Sequence, residues 1–231
     1  HGLYGLADGY GGTNIGDQAA KLVLEHIKFF AEHGLVDSEV TLPFVYRSYY
    51  TASGNLLFNA FLYANAELVK KNQSQHINTR GGASAVFVYF QGSLMTVANV
   101  GNCYVTVVRN GECISLFSPR AYYFLKGPTA TKKWNPYWAY PLMSLGHAKD
   151  LEPEIIEFQV QPKDMVFLTT DGIYAYLKNE EFSQSFSRVG EFLDQGLPLD
   201  SPIREQNQRL TEEAQANGSD DNQAIVSMVC G

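Results

Sequence analysis

Residues 83–116 carry apolar side chains in β-strand runs, broken by two turn signals, Gly92-Ser93 and Asn110-Gly111. Asn-Gly is the tightest constraint in the chain. A two-residue hairpin turn needs positive φ at both central positions, which this pair accepts and most others resist. It predicts a hairpin in which Arg109 faces Glu112 and Val108 faces Cys113. A slip by one residue would send every apolar side chain to the opposite face, so the turn sets the register. In that register Cys103 falls opposite residue 118, which argues against a Cys103–Cys113 disulfide. The strands predicted here are Ala83–Phe90, Leu94–Val100, Cys103–Arg109 and Glu112–Leu116, with Gly101-Asn102 interrupting the middle.

Helical periodicity flanks this block. Ile15, Ala19, Leu22, Val23, Ile27 and Phe30 share one face, with Thr13 or Asn14 as cap, Asp17 in the first turn and Gly34 as stop. Residues 35–52 read as a connector around Pro43, and a second helix is predicted from Gly54 to Lys71 with Leu57, Phe61, Ala64 and Leu68 as its buried stripe. His26 and His33 lie on or beside the first helix and read as surface or core histidines, since no third ligand follows at their spacing. Residues 118–150 are irregular and aromatic. They read as a loop packed down by its aromatics or as a flap beside a site that shapes partner choice, and both readings stand. Ile155–Val160 and Met165–Thr170 read as strands about a turn at 161–164, Ile173–Leu177 as a helix or turn, 180–216 as two helices split by Gly196 to Pro202, and Gln223–Val229 as the last strand. Strands run together and helices run together. That order predicts an α+β fold, a β-sandwich flanked by antiparallel α-helices, as a single domain over 1–231. The chain opens on His1-Gly2 and enters a strand at once, which leaves open that the segment is cut from a longer polypeptide.

Composition narrows the function. In 231 residues, 45% are hydrophobic and 18% charged, enough for a sizeable core and against disorder. A net charge of −7 without a basic run disfavours a nucleic-acid partner. No apolar run reaches the ~18–20 residues of a membrane span, and no signal-peptide pattern opens the chain. Three cysteines without CxxC spacing suggest reduced thiols in a cytosolic or nuclear compartment.

Three acids share one grammar: Asp8 before Gly9, Asp171 before Gly172, and Asp221 before Asn222. Each is expected at a strand end beside a residue that turns the backbone. Gly9, Gly11 and Gly12 would bring bare carbonyl and amide groups to a ligand. Three converging carboxylates would repel and their pKa values would rise, a conflict that divalent cations remove. A carboxylate with an exposed carbonyl suits Mg²⁺ or Mn²⁺. Two such ions bridge a water, lower its pKa and clamp phosphate oxygens. The set therefore predicts metal-dependent phosphoester hydrolysis with no nucleophilic side chain; three unrelated turn aspartates are the bland alternative. No GxSxG, HExxH or P-loop motif occurs. His147 reads as a solvated loop histidine, with a proton donor near the site as the alternative.

These residues resemble the PPM family, the metal-dependent type 2C serine/threonine protein phosphatases. Leu6 to Gly12 is similar to its DGxGG block and Gly81 to Ala85 to its small-residue block. Val97 to Cys103 is similar to VANVGDSR, Thr170-Asp171-Gly172 to SDG, and Gly218 to Asn222 to GSxDN. The resemblance implies that Asp8 bridges two Mg²⁺ or Mn²⁺ ions with the Gly9 carbonyl beside it, that Asp171 and Asp221 complete the first metal, and that the substrate is a phosphoprotein. This chain also departs from the family pattern. The acidic pair and the phosphate-binding Arg of the family lie upstream of DGxGG, on a strand this chain lacks or begins after. Asn102 stands where active members carry a third-metal Asp, Tyr104 where they carry Arg, and Phe117 to Arg120 replaces an Asp-His; Tyr10 replaces His or Met. The departures imply a second reading, a pseudophosphatase that serves as a binding or regulatory domain for a kinase or cyclase.

Overall fold

A computed structural model describes residues 2–12, 14–36, 42–117, 121–125, 137–147 and 149–231. The Thr13 cap, the motif departure at 118–120 and the centre of the aromatic segment lie outside the described residues. The chain divides into two compact units, His1–Cys103 with Pro141–Gln159, and Tyr104–Tyr140 with Val160–Gly231.

The first unit holds a four-stranded sheet in the order β1-β2-β3-β8, formed by β1 Gly2–Tyr10, β2 Gly82–Gln91, β3 Leu94–Val100 and β8 Glu154–Gln159. All its ladders are antiparallel. One face is covered by two helices, α1 Ile15–Val36 and α2 Ala52–Gln73. Ala19, Val23, Ile27 and Ala31 from α1 meet Leu57, Phe61, Ala64 and Leu68 from α2 over Ala83, Ala85, Phe87, Ala98 and Val100 of the sheet. Each fully buried Leu or Phe contributes about 1.5–3 kcal/mol, and Phe61 also meets Phe87 edge-on with ring centroids 6.1 Å apart. Gly34 does not stop α1. It lies inside the helix, where a Cβ would run into Leu56 of α2, so close packing of the two helices accounts for the glycine.

Two buried asparagines of α2 hold the segment before it. Asn59 Oδ1 accepts from the N–H groups of Phe44 and Val45, both at 3.1 Å, and its Nδ2 donates to the Val45 carbonyl at 2.6 Å. Asn55 accepts from Arg47 N at 2.6 Å and donates to the carbonyls of Arg47, Tyr50 and Thr51. Neither side chain is exposed at all. They satisfy a backbone that has no ladder of its own.

The second unit holds the sheet β10-β9-β4-β5, with β4 Tyr104–Arg109, β5 Glu112–Ser115, β9 Met165–Thr169 and β10 Ile225–Val229. The hairpin register is the expected one: Arg109 pairs with Glu112 and Val108 with Cys113. Helices α3 Asp171–Tyr174, α4 Asn179–Asp194 and α5 Asp200–Ala216 complete it. Phe167, Ile173, Phe182, Val189 and Leu210 form the centre of its core. Strands β8 and β9 flank the 161–164 turn, yet they belong to different sheets. The expectation of an irregular 118–150 needs correction, because β6 Ala121–Leu125 and β7 Tyr137–Pro141 pair as a two-stranded sheet. Arg109 grips the buried Asp164 with two bonds of 2.9 and 2.7 Å, and Gln161 N donates to the same carboxylate at 2.8 Å.

No disulfide joins Cys103, Cys113 and Cys230. Burial pushes the Cys230 thiol up to about 11, with Asp164 adding to the shift and Arg109 opposing it. Burial also raises Cys113. No helix is long and apolar enough to cross a membrane among the described residues.

Two outcomes follow. Asn59→Ala should leave the Phe44 and Val45 amides without their acceptor and cost about 2–4 kcal/mol, read as a lower urea midpoint at unchanged slope. A folded thiol raised above its unfolded value is less ionised at any pH below its folded value. At pH 8, Cys230 should therefore react with iodoacetamide at least about tenfold more slowly in the folded chain than in urea, and Cys113 should also react more slowly.

Candidate active site

In the first unit, Asp8 is half-buried in β1 and pairs with Ser84. The strand does not stop at Asp8, as its motif suggested. It continues through Gly9 to Tyr10, which pairs with Gly82. Alternation then places Asp8 and Tyr10 on the face opposite Ala7 and Ala85, which meet the helices. The Ser84 hydroxyl accepts the Asn102 N–H at 3.1 Å, and Asn102 is only 5% exposed. Beyond the strand, Gly11 and Gly12 have φ of 131° and 87°, which lets the chain swing into α1. The first turn of α1 lies directly on the Gly9 peptide. A Cβ at Gly9 would run into the Gly16 carbonyl, and a Cβ at Gly16 would lie 2.5 Å from the Gly9 carbonyl oxygen.

Tyr10 carries the polar contacts that sequence reasoning missed. Its hydroxyl bonds the buried Ser144 and lies 3.2 Å from His147 Nδ1, while the Tyr10 and His147 rings stack at 5.6 Å and 18°. Burial around the hydroxyl raises the phenol above its usual pKa, and the Ser144 bond pulls the other way. His147 is exposed as expected, but it is tied to Tyr10 rather than merely solvated. The available signal was the two-residue step from Asp8, which on a strand puts both side chains on one face.

In the second unit, Asp171 opens α3, one residue past Thr170 and two past the end of β9; it is half-buried. Asp221 is exposed in the turn that precedes β10, four residues before the strand begins, so it is not at the strand end itself. The two turns are laced together. Thr170 N donates to Ala224 O and Ala224 N to Thr170 Oγ1, both at 3.1 Å. Ser219 Oγ and Gln223 Nε2 both donate to the Gly172 carbonyl, at 2.6 and 3.3 Å. A Cβ at Gly172 would lie 3.3 Å from the Asp221 Cβ. The structure thus sets the start of α3, which carries Asp171, against the turn that carries Asp221, while Asp8 and Gly9 lie at the end of β1 in the other unit.

The donors are oxygens throughout: the Asp8 carboxylate and Gly9 carbonyl in one unit, the Asp171 and Asp221 carboxylates in the other. In kind they fit a hard divalent cation. In number they are few within each unit, and among the described residues no group of three or more His, Cys, Asp or Glu is placed to hold a metal.

Residues 2–119, just over half of the chain, match the family model for protein phosphatase 2C. The chain belongs to that family. Its fold is also that of solved PPM phosphatases. The serine/threonine phosphatase PstP of Mycobacterium tuberculosis is 18% identical with a TM-score of 0.71, the match covering 98% of this chain and 88% of that one. The serine/threonine phosphatase of S. agalactiae is 21% identical with a TM-score of 0.72, over 98% and 87%. A second PstP structure, its catalytic domain in complex with 2 manganese ions, is 18% identical with a TM-score of 0.64, over 99% and 88%. No curated protein matches the chain.

For this PP2C-family chain the close backbone approach at Gly9 gives a direct test. Gly9→Ala should cost about 1–3 kcal/mol and lower the melting temperature. Gly190→Ala, on α4 with open space around it, should instead gain up to about 1 kcal/mol. Thermal denaturation of both variants checks the contrast.

Proposed function

We propose that this chain is a Mg²⁺- or Mn²⁺-dependent protein serine/threonine phosphatase acting on phosphoserine and phosphothreonine in phosphoproteins, and that residues 1–231 work as a single domain. Asp8, the Gly9 carbonyl, Asp171 and Asp221 are the proposed metal donors. What supports the reading most is the lacing of the 219–224 turn onto Thr170 and Gly172, which sets the turn that carries Asp221 against the start of α3, where Asp171 stands.

When bound, the ions supply an activated water and positive charge to clamp phosphate oxygens. The chain's own residues do the positioning. Asp8 is fixed by a ladder on β2, and the first turn of α1 holds the Gly9 peptide against Gly16. Ser219 and Gln223 hold the Gly172 carbonyl and with it the start of α3. In phosphoryl transfer, positioning and charge carry most of the catalysis. The buried Asn102 favours the second reading, a pseudophosphatase that engages a kinase or cyclase, because an amide is a far poorer donor to these ions than a carboxylate.

Hydrolysis of a phosphothreonine peptide with Mn²⁺, with EDTA and with Asp171→Asn separates the two. The phosphatase reading expects turnover that EDTA abolishes and Asp171→Asn lowers by about 10²–10³-fold. Manganese binding by calorimetry with turnover no higher than that of Asp171→Asn would overturn it in favour of the pseudophosphatase.

A further inference from the structure

We propose that Tyr10, Ser144 and His147 form a latch that fixes the Asp8–Gly9 end of β1 and so sets how tightly that end holds a divalent cation. The inference rests on the reading of Asp8 and Gly9 as metal donors. Among the described residues β1 lies at one side of its sheet and pairs with β2. Immediately past Tyr10 the chain passes through Gly11 and Gly12, both at positive φ. Gly16 supports the Gly9 peptide, but the last pair of the ladder, Tyr10 with Gly82, is followed directly by two glycines, and a terminal pair of this kind is prone to fray. Asp8 and Gly9 are the last two residues before Tyr10.

The anchor of the latch is rigid. Leu145 bridges Ala83 by two backbone bonds, of 3.1 and 2.9 Å. Gly146 N donates to Asn65 Oδ1 at 2.8 Å, and Asn72 Nδ2 donates to Gly146 O at 2.8 Å. Asn65 and Asn72 are both buried on α2. The segment carrying Ser144 and His147 is thus bolted to β2 on one side and to α2 on the other. Tyr10 reaches it across Gly82. A Cβ at Gly82 would run into the Tyr10 hydroxyl and lie 2.7 Å from His147 Nδ1, so only glycine leaves the path open. The hydroxyl ends on Ser144 and His147, and the stacked imidazole covers the ring. Tyr10 is a positioning residue in this account, acting through the strand end and not on the substrate.

The test uses the whole chain and two readouts. Amide hydrogen exchange without metal reports the strand end itself. Tyr10→Phe should speed exchange at Gly9 to Gly12 by about tenfold, with Val97 and Ala98 in the sheet centre unchanged. Manganese titration by calorimetry reports the consequence, and Tyr10→Phe should weaken binding by about three- to tenfold. Ser144→Ala should act in the same direction, and the double variant should be no worse than Tyr10→Phe alone, since both remove one interaction. Tyr4→Phe, an exposed tyrosine on the same strand, should change neither readout. Unchanged exchange at Gly9 to Gly12 in Tyr10→Phe overturns the latch. Faster exchange with equal manganese affinity overturns its link to the metal. If the unaltered chain binds no manganese, the exchange data still decide the latch, while the metal reading of Asp8 falls separately.

Discussion

The ladder between β1 and β2 is the constraint on which the first unit depends. It runs unbroken from Gly2 opposite Phe90 to Tyr10 opposite Gly82. Because side chains alternate, this one register decides both halves of the unit. Ala7 and Ala85 turn to the helices, where their small size lets α1 come near. Asp8 and Ser84 turn the other way. A slip by one residue would bury the carboxylate under α1 and expose the alanines. The glycine pair Gly9 and Gly16 belongs to the same arrangement, since α1 can rest on the end of β1 only where neither backbone carries a side chain.

The second unit solves a different problem with polar bonds. Its acids stand outside the strands, Asp171 at the start of α3 and Asp221 on a turn, where no ladder holds them. Thr170, Ser219 and Gln223 supply that hold through side chains, each bonding a backbone group of the opposing turn. At the far end of β9, Asp164 accepts from Arg109 and Gln161 and is almost wholly buried, so the 161–164 turn is fastened as firmly. A buried carboxylate with a two-bond guanidinium partner is costly to break by halves, because the charge left behind has no water to take the partner's place. Asn55 and Asn59 do the same for the segment before α2 in the first unit with neutral amides.

Much of this was legible in the residues. The Asn110-Gly111 hairpin appeared in its predicted register because the turn type and the strand period are local properties. Apart from Ile15, the apolar stripes of α1 and α2 lie on the core as read, since a helix can hide only one face. The family was legible from its short blocks, and the match over residues 2–119 agrees. Where the reading failed, the cause was distant in sequence. Gly34 looked like a helix stop but serves Leu56 on another helix. Asp8 looked like the end of a strand, but Ser84 and Gly82 across the ladder extend it to Tyr10. The 118–150 segment looked irregular, yet part of it pairs with itself as β6 and β7. His147 looked solvated because nothing near it in sequence names Tyr10 as its neighbour.

The sequence by itself determined what depends on local chemistry: element type, hairpin register, the carboxylates and glycines of the motifs, and the family they belong to. These follow from backbone preference and short-range spacing, which a linear string contains. Only the tertiary structure decided which strands share a sheet, that β8 and β9 part company at one turn, and that the start of α3 with Asp171 adjoins the turn with Asp221. It also decided that Tyr10 crosses Gly82 to reach Ser144 and His147, more than 130 residues along the chain. Such contacts depend on free volume and on unfilled hydrogen-bond groups left by other elements. Those quantities exist only once the chain has closed on itself.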